Sequence, residues 1–242
     1  MLNKLRSLNQ THGATAAPTL NISFKHLPKR ILQDQKEVWT FPKELASRKH
    51  SAPTIGVIGL TTGLVMADPH IMSYFHRMRL FKRFDGVLSG GSTGMIVAAV
   101  PSALYLAGHF GKHSYAKQTA LLAGEAYIAS AIPHAAVKMV SRRLPPSAVA
   151  RCKGFGGTFF HGHLSPFSRH TSFPSGHSAA AFSVATVISQ RYRRYPWLPW
   201  IAYGLAGTIG FSRMANIAHF PSDIFLGASL GYTIARFDVL AH

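Results

Sequence analysis

The sequence predicts an all-α membrane protein of about six helices. Three observations carry that expectation. Of 242 residues, 47% are hydrophobic and only 14% are charged, too few charges for an ordinary soluble basic protein. The apolar residues gather in long runs without the period-two alternation of strands. The 26 Lys+Arg outnumber 8 Asp+Glu, for a formal charge of +18, and cluster in the stretches between those runs, where a membrane protein keeps its cations. Such a balance would also suit nucleic acid. Aromatics interleaved with basic residues, as base stacking needs, are absent, so no nucleic-acid partner is expected. The single cysteine, Cys152, excludes an internal disulfide and a cysteine-rich metal site. Residues 1–17 hold no apolar secretory core.

Taken in order, residues 1–50 are polar and basic, with Lys4, Arg6, Lys25, Lys29, Arg30, Lys36, Lys43, Arg48 and Lys49. They read as an N-terminal arm, interfacial or partly disordered, ahead of a helical domain over 51–242. Within the arm, residues 31–39 have the pattern of a short amphipathic helix with Pro42 as its stop. Residues 54–67 are apolar but short, which fits a thin span, a re-entrant segment or a core helix, closed by Asp68-Pro69. Residues 71–84 set Arg77, Arg79, Lys82 and Arg83 among aromatics and aliphatics, as an interfacial or a solvated surface helix would. Residues 86–111 form a plausible span kinked at Pro101. A further span covers 118–140 and contains Glu125 and His134; an acid at that depth must face other helices or water, and Glu125 is read as structural. Gly90, Gly91 and Gly204 are read as marks of close helix packing.

Residues 141–174 form a long loop rich in Gly, Pro, His and basic residues, and loops of that length inside a compact domain are often functional. Its His161-Gly-His163 pair has no acid or cysteine nearby, so chance composition is the better reading than a metal site. Arg151, Lys153 and Arg169 suit either a solvated loop or the steering of an anionic substrate, and His170 is read as a solvated loop histidine. Phe173-Pro174-Ser175-Gly176-His177-Ser178 then reads as a tight turn opening a helix. Pro174 cannot sit inside a helix, Ser175 is a good N-cap, and the residues after it are apolar. A helix N-terminus is a ready anion site; Gly176 admits close approach and His177 adds a proton donor. Helices over 178–189, 198–211 and 224–234 complete the chain.

With the arm inside, alternation places 112–117, 191–194 and Arg236 inside too, in keeping with the positive-inside tendency, whereas Arg77 to Arg83 falls outside. The same alternation brings three stretches to the outer face. They are Lys138-Met-Val-Ser-Arg142-Arg143-Leu-Pro145-Pro146, then Pro174-Ser175-Gly176-His177, then Ser212-Arg213-x5-His219-x3-Asp223. Together they supply cations, backbone donors, two histidines and a carboxylate. That set suits a phosphate that is held and attacked, because phosphoryl transfer is mostly positioning and charge neutralisation. Arginine meets phosphate as a bidentate fork and lysine as a point charge.

In these motifs the chain resembles the type-2 phosphatidic acid phosphatase and vanadium haloperoxidase superfamily, whose three motifs are Lys-x6-Arg-Pro, Pro-Ser-Gly-His and Ser-Arg-x5-His-x3-Asp. The second and third match in full and in order; the resemblance covers roughly residues 54–236. It implies the helical membrane bundle of that superfamily. It also implies that His219 is the nucleophile, forming a phosphohistidine, that Asp223 accepts from its ring N–H, and that His177 is the general acid. Lys138 and Arg213 would bind phosphate oxygens, helped by the Ser175 hydroxyl and the Gly176 N–H, with no metal or cofactor required. The first motif departs from the pattern: Pro145 stands where the arginine belongs, and Arg143, or failing it Arg142, is expected to take over that phosphate contact.

The expectation is therefore a multi-pass membrane phosphatase, placed in a bacterial inner membrane with its site on the periplasmic face. It would act on a lipid phosphate or isoprenyl diphosphate; the sequence leaves oligomeric state open. The alternatives are a soluble periplasmic acid phosphatase of the same superfamily, a vanadate-dependent haloperoxidase, and a catalytically weakened membrane protein that binds lipid phosphates.

Overall fold

The computed structural model describes residues 24–46, 51–77, 90–149, 155–162 and 171–241. Among them there is no strand. The helices are α1 (Leu27–Ala46), α2 (Ser51–Arg77), α3 (Gly90–Phe110), α4 (Ser114–Ser141), α5 (Gly176–Arg191), α6 (Leu198–Ala215) and α7 (Pro221–Thr233). A single turn at Pro146–Val149 follows α4, and α7 continues as a π-helical stretch over Ile234–Val239. The all-α bundle matches the expectation in kind.

Two expected stops do not stop their helices. α1 runs through Pro42, and α2 runs through Asp68-Pro69 as one helix with Pro69 inside it. Residues 71–77 are thus the end of α2, while Arg79, Lys82 and Arg83 lie outside the described residues, as do Lys4, Arg6, Arg48, Lys49, Arg151, Cys152, Lys153, His163, Arg169 and His170.

The described part of the arm is a docked helix. Arg30 Nε of α1 donates to both carboxylate oxygens of the fully buried Glu125, at 2.9 and 3.1 Å. Its Nη2 reaches the Val239 carbonyl at 3.2 Å, and Gln35 Nε2 donates to the Ala129 carbonyl at 2.9 Å. Glu125 therefore faces another helix, as its depth required.

Among the described residues, three stretches are helical, long and apolar enough to cross a membrane: Ala52–Phe75, Thr93–Phe110 and Ser114–Val149. α2 and α3 turn Ile55, Ile58, Met66, Met95, Val100 and Leu106 outward, a surface that lipid covers better than water does. The chain is a membrane protein on these grounds.

α5 is the centre of the bundle, packed by α4, α6 and α7. Its inward residues are small: Ala179, Ala181, Ser183, Ala185 and Thr186 are buried. Small side chains let backbones approach, and two glycines of α7 complete the contact. A Cβ on Gly227 would lie 2.3 Å from the Ser175 carbonyl oxygen, and one on Gly231 would lie 2.0 Å from that of Ala179. Gly204, by contrast, has open space around it and marks no close packing. The close α5–α7 crossing brings the start of α5 beside the start of α7. The end of α4, the end of α6 and the Asp68 turn of α2 meet at the same end of the bundle.

Candidate active site

Each motif is placed by a helix terminus. α4 ends at Ser141, where Arg142 turns left-handed at φ 42 and its N–H returns to the Lys138 carbonyl at 3.1 Å. The chain leaving that turn is laced to the loop: Leu144 N–H to the Thr158 carbonyl at 2.9 Å, Gly162 N–H to that of Arg142 at 2.6 Å, and Ser172 N–H to that of Arg143 at 2.8 Å. α5 opens as expected from an N-cap serine. Ser175 Oγ accepts from the Ser178 N–H at 3.4 Å and from the Ser178 hydroxyl at 3.1 Å. Gly176 lies in the first turn, where no intrahelical carbonyl serves its N–H. α7 begins with Pro221 at its first position, and Asp223, three residues past the N-cap, reaches back to take the Phe220 N–H on Oδ2 at 2.8 Å.

These starts bring the two motif histidines together. The ring centroids of His177 and His219 are 6.3 Å apart, in an edge-to-face arrangement at 65°. His219 is tied to its own motif through the backbone, its N–H donating to the Arg213 carbonyl at 3.2 Å. Arg213 is buried at the end of α6. Lys138, half-buried on α4, shares a face with His134 one turn earlier, and His134 lies among Lys138, His177 and His219. The His134 ring fills the space where Gly176 lacks a side chain, since a Cβ there would be 2.9 Å from it, and its Nε2 donates to the Pro174 carbonyl at 3.2 Å.

The tautomer of His219 follows from its partner. Nδ1 is 2.8 Å from the Ser172 carbonyl oxygen, which can only accept, so Nδ1 carries the proton and Nε2 keeps the lone pair. Asp223 Oδ2 stands farther off, at 3.6 Å from Nδ1. The expected pairing of ring N–H with Asp223 is thus shifted by one partner. The hydrogen bond goes to Ser172, and the carboxylate adds its charge from just beyond.

Arg143 is placed differently from the expectation. It is 1% exposed and stands behind the histidine. Nε donates to Thr158 Oγ1 at 2.9 Å, Nη1 to Ser222 Oγ and Asp223 Oδ1 at 2.7 Å each, and Nη2 to Asp68 Oδ2 at 2.7 Å. The rings of Phe220 and Phe159 lie 3.8 and 4.6 Å from the guanidinium carbon. A guanidinium engaged by two carboxylates and two hydroxyls and enclosed by aromatic rings has no open side for a phosphate oxygen. Arg143 therefore does not stand in for the motif arginine that Pro145 replaces. Arg142 is half-buried, and its backbone forms the turn.

Four further participants are not among the residues that define the motifs. Ser172, Ser222 and Thr158 carry no signal in the sequence. Asp68 does carry one: an acid beside a long apolar run needs a partner, although Asp68-Pro69 reads first as a helix stop.

The helical bundle thus gathers two histidines, a lysine, an arginine and a helix N-terminus at one end. The chain belongs to the PAP2 superfamily, whose sequence profile matches residues 119–241. A protein of Porphyromonas gingivalis named lipid A 1-phosphatase is 38% identical over 82 residues, 33% of this chain and 18% of that protein. The bacitracin transport permease protein BcrC of Bacillus licheniformis is 38% identical over 66 residues, 27% of this chain and 31% of that protein. The aligned part of the chain spans under a third of either relative's length. No solved structure matches it.

Proposed function

We propose that this protein is a membrane phosphatase that hydrolyses a lipid phosphate or lipid diphosphate ester through a phosphohistidine. The observation that carries the reading is the opposed pair His177 and His219 at 6.3 Å, with the proton of His219 on Nδ1. Two imidazoles that near one another let a single phosphoryl group meet a nucleophile on one side and a proton donor on the other. His219 Nε2 attacks phosphorus and the ester P–O bond breaks. His177 gives its proton to the leaving oxygen. In the second half His177 takes a proton from water, which attacks the phosphohistidine and frees phosphate. The Ser172 carbonyl and the Asp223 charge hold the imidazolium that forms. Lys138, Arg213, the Ser175 hydroxyl and the Gly176 N–H at the positive end of α5 neutralise the phosphate oxygens.

The name of the Porphyromonas gingivalis relative supports a lipid phosphate as substrate, and so do the apolar helices, which set the site at the bilayer edge. The basic turns favour the outer face for the site. Lys112, Lys117, Arg191, Arg193 and Arg194 gather at the opposite end of the bundle, where Arg191 stacks 4.1 Å over Tyr115 and Tyr115 donates to the Arg191 carbonyl. In a bacterial inner membrane that charge distribution favours the periplasmic side for the site.

The test is phosphate release by the purified protein from phosphatidic acid, phosphatidylglycerol phosphate, lipid A and an isoprenyl diphosphate, beside His219→Ala. Activity on at least one lipid is expected, with a fall on the order of 10⁴-fold or more in the variant. Equal release from both proteins would refute the nucleophile.

A further inference from the structure

We infer that Asp68, on a helix that carries none of the motifs, is a positioning residue for the reaction, acting through Arg143 on His219. The inference rests on the function proposed above. Arg143 reaches both groups that orient His219. Its backbone carbonyl takes the Ser172 N–H at 2.8 Å, and the Ser172 carbonyl takes His219 Nδ1–H at 2.8 Å. Its guanidinium holds Asp223 Oδ1 at 2.7 Å, while Oδ2 of the same carboxylate stands 3.6 Å from Nδ1. The imidazole is therefore gripped on one edge by two groups that share one arginine.

That arginine needs a counterweight. Asp223 alone would have to serve the guanidinium, the Phe220 N–H and the histidine. Asp68 supplies the second negative charge: Oδ2 accepts from Arg143 Nη2 at 2.7 Å and from the Ser222 hydroxyl, and Oδ1 accepts from the Ser222 N–H at 3.2 Å. Ser222 in turn accepts from Arg143 Nη1 at 2.7 Å. All four side chains are essentially buried, where such bonds are strong and directional. The arrangement also accounts for the altered first motif. Arg143 serves the histidine from behind rather than the phosphate from in front. α2, a candidate membrane span, is thereby tied to the first turn of α7, whose N-cap directly follows His219.

Asp68→Asn keeps the shape and removes the charge. The fork then loses its anchor, Asp223 is drawn toward Arg143, and the imidazole is less well aimed. The expected result is a fall in kcat of about 10- to 100-fold with KM within about twofold. Inhibition by orthovanadate, which accepts the histidine nitrogen as a fifth ligand, should weaken in parallel. Inhibition by inorganic phosphate, held by Lys138 and Arg213, should stay unchanged. A purely structural role would lower the folded fraction and leave kcat per folded molecule and the vanadate-to-phosphate ratio as in the wild type, and that result overturns the inference. Should Asp68→Asn not fold, Ser222→Ala decides, since it removes only the hydroxyl bridging Asp68 and Arg143. A severalfold loss in kcat and in vanadate affinity is expected, and no change overturns the proposal. Both anions are also followed by thermal stabilisation, which needs no turnover. A wild type that binds neither defeats this inference together with the proposed function. An active wild type beside two variants of unchanged kcat defeats the inference alone.

Discussion

The α2–α3 region and the α5–α7 region are built for opposite surroundings. Only 17% of the α2 and α3 spans is covered by the rest of the protein, against 50% for the α4 stretch. Their outward residues are large and apolar, a surface suited to lipid. α5 and α7 meet each other, and there the residues are small, with glycine where helix backbones cross. A helix facing lipid is free to vary in shape so long as it stays apolar. A helix facing another backbone is held to a fraction of an ångström. The site belongs to the second kind, because one imidazole sits in the first turn of α5 and the other just ahead of the N-cap of α7, two helices whose spacing is fixed by contact. The one place where the first kind reaches into the second is Asp68.

The comparison breaks most sharply at Gly231. Alanine there would place a Cβ 2.0 Å from the Ala179 carbonyl oxygen, which belongs to helix backbone and has nowhere to go. Gly231→Ala should cost about 3 kcal/mol in thermal or denaturant unfolding of the detergent-solubilised protein. It should also lower kcat by spreading His177 from His219. Gly204→Ala is the control: with open space around it, the change should be neutral or stabilising by up to about 1 kcal/mol through helix propensity. Equal effects at the two glycines would mean that the α5–α7 crossing is loose enough to admit a methyl group.

This pair of glycines also shows what the sequence can and cannot display. Helices are legible because their apolar runs are long, and the α5 start is legible because Pro174, Ser175 and Gly176 each have a local conformational role. His177, His219, Arg213 and Lys138 stand out because they fall on the motifs by which the chain resembles the superfamily. Which glycine faces a neighbour is a matter of rotation about a helix axis, and Gly204 and Gly231 look alike in an apolar run. The role of Arg143 is hidden for a related reason. A cation near a phosphate motif suggests phosphate, and only the fold shows that Asp68, 75 residues upstream, arrives first. The prolines at 42 and 69 suggest stops by their usual effect on a helix, whereas both helices continue past them.

A smaller effect is expected where α1 joins the bundle. Glu125 is fully buried against Arg30, which is 18% exposed, and the buried Asp34 carboxylate lies close to the same pair. Glu125→Gln removes a charge that Asp34 repels as well as one that Arg30 attracts. The loss should be about 2 kcal/mol, less than a fully enclosed pair would cost. It should appear as earlier proteolysis of α1 and a lower Tm, with kcat per folded molecule unchanged, since Glu125 lies three turns of α4 or more from Lys138. A loss of kcat equal to that in Asp68→Asn would erase the distinction between a pair that docks a helix and a pair that aims a histidine.

The smallest effect belongs to the aromatic rim at the start of α6. Tyr195, Trp197 and Trp200 are exposed by 38, 56 and 82% and lie at the end of the bundle where the basic turns gather. Exposed tryptophans beside cations are what a membrane–water interface selects, because the ring sits among head groups while its N–H stays wet. Trp200→Leu removes no internal contact of consequence, so stability in detergent should change by no more than about 0.5 kcal/mol and kcat should hold. In vesicles, Trp200 fluorescence should be quenched by lipids brominated near the head group and little by lipids brominated near the chain end. Deep quenching would move the rim into the hydrocarbon and the opposed histidines with it, because α6 rigidly joins Trp200 to the Arg213 carbonyl that holds the His219 backbone.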